Sequence, residues 1–594
     1  MNHQDLTTNT NVCTRASIAK PRNPLRLLLG VLSVCMFWSC AGQFPPSGGP
    51  EDRDPPSIIA TYPENNSTRV HDSRIVLEFD EYVDRASVQN ALFISPSVGV
   101  MEFDWSGREV EIRFSERLRE NTTYVVNVGT DVVDIRNRNR MAESFTLAFT
   151  TGNQIDEGMI EGRVFPAKPS DARSGIMVFA YRIDPRGEGN TINRDTLDPR
   201  HTKPDHSTQT GKEGNYTLSH LAFGTYRLMA VRDEFKNLLY VPETDEYAMG
   251  SADVSIGEQS PKISGVNFRL AKEDTTSPRL IKATSVSDRL FRLEFSEEVD
   301  PATVSFGSFT VADTVSGKIV NVLSASPIPP RHVEVMAALG SLSFGATYSV
   351  TAQITDMQGL AINPLANTLT FTASAKADTN RVVVSSFSIP DMVRDVSLTP
   401  EITIMFSRPV QNVLDSTAIT LADSAGNAFT LIPQWLSHMA LNVRPARALA
   451  GKTWYELKVS ASRFADIFDV KGRDSISTLR FSTVDPERFG RLEGVLADES
   501  RSDTVGNFYI TAREISMRDA EPRPIRIETP GPFIFDSIVE GRYVIEAYRD
   551  RNGNKKFDAG HPYPFARSER FVVHQDTIKL RARWPVEGLK LHLR

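Results

Sequence analysis

The sequence predicts an all-β chain: β-sandwich modules in series behind an export segment. Three observations predict it. Apolar and polar side chains alternate through many short segments, which is the period of a half-buried strand. These segments recur at roughly 8 to 12 residue spacing, the rhythm of an antiparallel sandwich of about a hundred residues. One order of phrases is also written three times. IVLEFDEYVD (75 to 84) leads through EVEIRF (109 to 114) and LRENTTYVVNVG (118 to 129) to a polar turn, DIRNRNR (134 to 140), and then to FTLAFTT (145 to 151). FRLEFSEEVDPATV (291 to 304) leads likewise to LSFGATYSVTAQITDMQGL (342 to 360) and LTFTAS (369 to 374). ITIMFSRPVQNV (402 to 413) leads to LAGKTWYELKVSASRFADIFDVKG (449 to 472) and LRFST (479 to 483).

Residues 1 to 39 read as a signal peptide. Arg22 and Arg26 precede LLLGVLSVCMFWSC, an apolar run too short for a membrane span, and a basic flank on a short apolar core is the pattern of an export signal. Cys40, followed by Ala41 and Gly42, resembles the lipidation cysteine of a bacterial lipoprotein. That resemblance implies cleavage before Cys40 and acyl chains on it, which at about 0.8 kcal/mol per buried CH2 hold the protein to a membrane effectively for good. Cys13 and Cys35 lie upstream, so the exported chain keeps one thiol and forms no intramolecular disulfide. Each module must stand on packing, which about a hundred residues of sandwich can support. Residues 40 to 57 are the lipidated cysteine and a tether of Pro, Gly and charge without apolar period.

The repeated phrases carry a resemblance. A strand ending in acid and valine (Glu81, Val83), a T-x-Y strand (Thr123, Tyr124) and a closing F-T-T (Phe149 to Thr151) resemble the bacterial Ig-like domain first described in S-layer proteins. The first copy lacks the turn glycine, and the third reads SRPV (407 to 410) where the others are acidic. The expected Ig-like domains are 58 to 152, 274 to 376 and 377 to 485. PSGGPEDRDPP after the cysteine, followed by Y-P-E-N-x-S (62 to 67), resembles the start of a Bacteroidota lipoprotein family.

Residues 153 to 273 and 486 to 594 have a different rhythm. IEGRVF (160 to 165), IMVFAYRI (176 to 183) and NYTLSHLAFGTYRLMAVRDE (215 to 234) are strands around a polar loop at 184 to 214. LEGVL (492 to 496), FYITAREI (508 to 515) and FIFDSIVEGRYVIEAYRDRNGN (533 to 554) repeat them. Both resemble transthyretin-like or carboxypeptidase-regulatory sandwiches, an accessory fold without the zinc site. The expected order is Ig-like, transthyretin-like, Ig-like, Ig-like, transthyretin-like.

Composition agrees with several small cores: 40% hydrophobic and 24% charged residues among 594, where length alone leads one to expect about four to six domains. The net charge of −7 becomes −10 once residues 1 to 39 are removed. An acidic chain without a basic tract is a poor partner for nucleic acid, whose binding needs clustered Lys and Arg.

Among candidate sites, Asp550, Asn552, Asn554 and Asp558 in DRNGNKKFD offer oxygens at positions 1, 3, 5 and 9 of a loop, as calcium loops do. Lys555 and His561 replace the glycine and glutamate of an EF-hand, and a polar hairpin built on Asn-Gly is the competing reading. The earlier repeat keeps Asp233 and Asn237 but has Phe235 and Val241 at the other two positions. His201, Asp205 and His206 lie together in the polar loop without a further ligand at metal spacing. Carboxylate pairs, Glu81 with Asp84 and Glu297 with Asp300, recur at one point of the template and read as solvated strand ends. No nucleophile elbow, H-E-x-x-H, Walker loop or dinucleotide fingerprint is present, so the expectation is a protein that is not an enzyme. Trp105, Trp435 and Trp454 are the residues that could stack on sugars. Triplets at Asp313 to Val315, Asp415 to Thr417, Asp503 to Val505 and Asp576 to Ile578 resemble O-glycosylation sites of Bacteroidota.

The functional expectation is an outer-membrane-anchored lipoprotein that serves as scaffold or docking component for envelope proteins, including an integral β-barrel or its assembly or transport complex. Surface glycan binding is the alternative, and the membrane face stays open.

Overall fold

The computed structural model describes residues 53–168, 171–184, 192–194, 196–500, 505–515 and 524–594. The segment expected to be a signal peptide, Cys40 and most of the expected tether fall outside these residues. No helix among the described residues is long and apolar enough to cross a membrane.

Five two-sheet sandwiches follow one another. In the first, Ile58–Tyr62, Arg74–Phe79, Glu109–Phe114 and Met101–Ser106 form an antiparallel sheet in that spatial order. It faces a sheet of Leu92–Ser95, Thr123–Val128 and Phe145–Thr150. The alternation read from the sequence is the burial pattern: Ile75, Leu77 and Phe79 are fully buried, whereas Val76 and Glu78 are half-buried. The third and fourth modules repeat the plan, with Leu290–Phe295 and Ile402–Phe406 in the place of Arg74–Phe79.

The repeated tyrosine does the same work in all three. Tyr124, Tyr348 and Tyr455 are buried and stack on Phe149, Phe371 and Phe481 of the closing strands at 5.6, 5.9 and 5.8 Å. Their hydroxyls accept from the backbone N–H groups of Arg119, Ser343 and Ala450 at 2.7, 3.0 and 2.9 Å. Each bond pins the turn that feeds the strand. Tyr455→Phe strands the Ala450 N–H, and we expect a loss of about 1–2 kcal/mol in chemical denaturation of the fourth module.

The second and fifth modules share another plan. Gly158–Phe165 runs between Asn215–Leu221, antiparallel, and Lys262–Ser264, parallel. Phe489–Asp498 runs in the same way between Gly531–Val539 and Pro585–Leu593. Gly162 marks how close the second module's backbone comes to itself, since a Cβ there would lie 1.8 Å from the Val266 carbonyl oxygen.

Two local expectations change. The polar loop at 184 to 214 contains a strand, His206–Gln209, paired with Met177–Asp184. Ser207 and Thr208 are buried, and the Ser207 N–H donates to Ser95 Oγ of the first module at 3.1 Å. A strand sandwiched against a neighbouring module lacks the water-facing alternation by which strands are read. Asp84 and Asp300, expected at solvated strand ends, are caps, and Glu297, expected there too, has a buried carboxylate oxygen. Asp84 accepts from Ser87 N at the start of the helix Arg85–Ala91, and Asp300 accepts from Ala302 N at the 3-10 turn Pro301–Thr303.

Candidate functional site: the joint between the second and fifth modules

The second and fifth modules meet, which closes modules two to five into a ring. Met249 N donates to the Ala559 carbonyl at 3.1 Å and the Tyr247 hydroxyl to the Gly560 carbonyl at 2.8 Å. Arg269 of the second module pairs with Glu546 of the fifth at 2.6 Å, both largely buried. Rings then cover the cations. The Arg227 guanidinium lies 3.4 Å from the Phe565 ring centroid, and Arg200 lies 4.4 Å from that of Tyr563. Phe165 packs edge-on against Phe571 at 5.7 Å. Beside the joint a cleft of about 1040 Å³ opens, lined by Glu161, Arg163, Tyr216, Phe571, His574 and Arg594 among others.

The rest of the ring is held at its other joints. Leu290 and Met336 of the third module cluster with Met439 and Phe468 of the fourth. Arg488 reaches back to Asp395 at 3.0 Å, beside the start of the fifth module.

The Asp550 loop supplies one side of the joint, because the segment that follows it, from Ala559 to Arg567, lies on the second module. Of its four expected ligands, Asn552, Asn554 and Asp558 hydrogen-bond to one another. Asp550 is buried and its carboxylate accepts from Gly553 N at 2.7 Å and Lys555 N at 2.9 Å. The amide nitrogens of Asn552 and Asn554 donate to Asp558 at 2.8 and 3.0 Å, and their oxygens accept from Asn554 N and Lys556 N. In this arrangement the loop satisfies its own polar groups, as a polar hairpin does, and a calcium ion would require both amides to turn. Gly553 takes the positive φ, +80°, that the turn demands.

Glu569 is a member of this cluster that the spacing of DRNGNKKFD did not reveal. It is 3% exposed and accepts from Arg551 N at 2.7 Å and Asp558 N at 3.2 Å. In the second module Asp245 holds the equivalent place, accepting from Glu234 N and Val241 N. The internal repeat was the signal that could have found it. Burial pushes the Glu569 carboxyl up from its ordinary 4.5 to about 7, with Asp558 and Asp550 adding to the rise and the two backbone bonds opposing it. The folded chain therefore holds this proton more tightly than the unfolded chain. Its contribution is greatest below about pH 4.5 and is lost as the pH rises through about 7, on the order of 2 kcal/mol across that window. Denaturation curves at pH 5 and pH 8 should show this difference, and Glu569→Gln should flatten it.

The other candidates are separated. His201 contacts Asp198 at 3.1 Å, whereas His206 is buried beside Tyr226, with burial and Arg182 driving it down to about 4. Asp205 accepts from Arg182 N at 2.8 Å. Trp105, Trp435 and Trp454 are half-buried, the first two against their module cores. The hydroxyl-bearing Thr314, Ser416 and Thr577 of three triplets are exposed, and Thr504 lies outside the described residues.

Residues 52–151 and 378–483 match the family described as the bacterial Ig-like domain. No match was found among curated protein sequences. Among solved structures, the chain is similar to the N-terminal part of the bacterial S-layer protein SbsC, with 15% identity over 35% of this chain and 45% of that one and a TM-score of 0.16. It is similar also to domains 1–6 of surface layer protein SbsC, with 10% identity, 91% and 66% coverage and a TM-score of 0.16. A third is E. coli alpha-2-macroglobulin in its native conformation, with 11% identity, 88% and 34% coverage and a TM-score of 0.14. The chain thus spans less than half the length of the first of these, 45%. The two segments that match the bacterial Ig-like domain coincide with the first and fourth sandwiches.

Proposed function

We propose that this is a non-enzymatic lipoprotein, anchored in the outer membrane through Cys40, that acts as a scaffold or docking component for other envelope proteins. Its partner would be an integral β-barrel or the complex that assembles or serves one. The observation that carries the reading is the closed joint between modules two and five. A buried ion pair and ring-covered arginines fix sandwiches hundreds of residues apart in the chain, so edges and loops from several modules face a partner in one rigid arrangement. The tagged protein should leave gently solubilised outer membrane with a stoichiometric β-barrel or assembly factor, identified by mass spectrometry. Recovery as a free monomer would overturn the reading. Glycan binding has one observation of its own, the 71% exposure of Trp584. Tryptophan fluorescence titrated with a polysaccharide panel tests it, and a flat response removes it.

A further inference from the structure

The third and fourth modules carry the same three-residue arrangement at the point where each is entered, with one difference of charge. In the fourth, Asp378 precedes the first strand, Arg408 follows Phe406, and Asp466 begins the polar turn bridged to Val410. Arg408 is buried, pairs with Asp378, and lies 3.3 Å from Asp466 Oδ2. In the third, Asp274 stands at the same distance before its first strand, Glu297 follows Phe295 as Arg408 follows Phe406, and Asp356 begins the turn bridged to Val299. Here the central residue is an acid instead of a guanidinium.

The turn aspartates are held alike. Asp466 Oδ1 accepts from Phe468 N and Val470 N, both at 2.9 Å, and Asp356 Oδ1 accepts from Gln358 N and Leu360 N at 2.8 and 2.9 Å. That leaves Oδ2 of each pointing into the arrangement. In the fourth module it meets the guanidinium. In the third, Asp356 is 2% exposed and its Oδ2 has no hydrogen-bond partner among the described residues, and Glu297 Oε1 is also buried without one. Carboxylate oxygens of Asp274, Glu297 and Asp356 all lie within 4.8 Å of one another. Arg279 acts on Glu297 from a distance, but no ion pair to any of the three occurs among the described residues. Buried carboxylates this close cannot all stay ionised unless a cation lies between them or a proton neutralises one.

We propose that Asp274, Glu297 and Asp356 bind a hard divalent cation of the calcium class, which takes the place that Arg408 fills in the next module. The donor set is all carboxylate oxygen, without imidazole or thiolate, which suits calcium or magnesium over the softer metals. Asp274 is half-exposed, so the cation has a route of entry and room for water ligands. Because Asp274 lies in the segment joining the second module to the third, the cation ties the linker to the sandwich and sets that corner of the ring.

The test is calorimetric titration of the full chain in detergent, stripped with EDTA, with calcium chloride and separately with magnesium chloride at neutral pH. Glu297→Arg reproduces the fourth module's arrangement and should bind one equivalent fewer than the parent chain. It should also melt at the same temperature with and without the cation at that module, where the parent gains stability. Any uptake at the Asp550 loop is common to both chains and drops out of the difference. Asp356→Asn should lose the same equivalent; because its Oδ1 also holds the turn, Glu297→Arg remains the deciding variant. Equal stoichiometry in the parent and Glu297→Arg overturns the proposal. So does a parent chain that shows no cation heat and whose stabilisation by acid persists in Glu569→Gln but is lost in Glu297→Gln, which would mean that a proton neutralises the cluster.

Discussion

Replacing Phe565 and Arg269 together by alanine will open the ring. Phe565→Ala removes the ring that covers the Arg227 guanidinium and should cost about 2–3 kcal/mol. Arg269→Ala leaves Glu546, 9% exposed, with Arg513 as its remaining ion-pair partner, at a further cost of about 2–3 kcal/mol. A loss of this order, at a joint held by a few desolvated charges and rings, should part the two modules. Small-angle scattering should show a larger maximum dimension, while the five cores keep their own unfolding transitions. Tyr563→Ala, at the exposed rim of the same joint, should leave the scattering unchanged. An unaltered profile in the double variant would mean that the other joints alone fix the ring.

Arg408→Ala should be the most damaging single substitution in the fourth module. The Arg408 side chain is 4% exposed and stands between those of Asp378 and Asp466, 8% and 1% exposed, so its removal leaves two carboxylates facing each other out of water. A loss of about 3–5 kcal/mol is expected, because breaking a buried pair leaves its partner uncompensated. Arg408→Met, which restores volume without charge, should fare little better. Adding Asp378→Asn and Asp466→Asn to it should recover much of the loss in urea denaturation. If Arg408→Ala unfolds at the parent's midpoint, the charge balance argued for both modules is wrong.

The two substitutions bear differently on what could be read in the chain. SRPV at 407 to 410 looks like a blurred copy of an acidic phrase, yet Arg408 is the centre of a buried ion-pair network. A sequence records the change of sign at one position but not the two carboxylates, from a linker and a distant turn, that give it a purpose. The same holds for Asp134, Asp356 and Asp466. The polar turns were legible, whereas the near-complete burial of their first residues was not. The Asp550 loop was legible as a polar turn, but not the direction of its amides, which the backbone N–H groups of the loop decide.

The sequence by itself determined the all-β class and most of the strands that build the sandwiches. Period-2 alternation is a local record of which side chains leave water, and the T-x-Y and F-x-T phrases mark a tyrosine and a phenylalanine that stack within one module. Only the tertiary structure decided that the series closes on itself. Arg269 and Glu546 stand 277 residues apart, and no periodicity links them. The energy of such a joint comes from a few desolvated charges and rings scattered over separate loops. Their meeting depends on the angle at every earlier joint, and a linear pattern does not encode it.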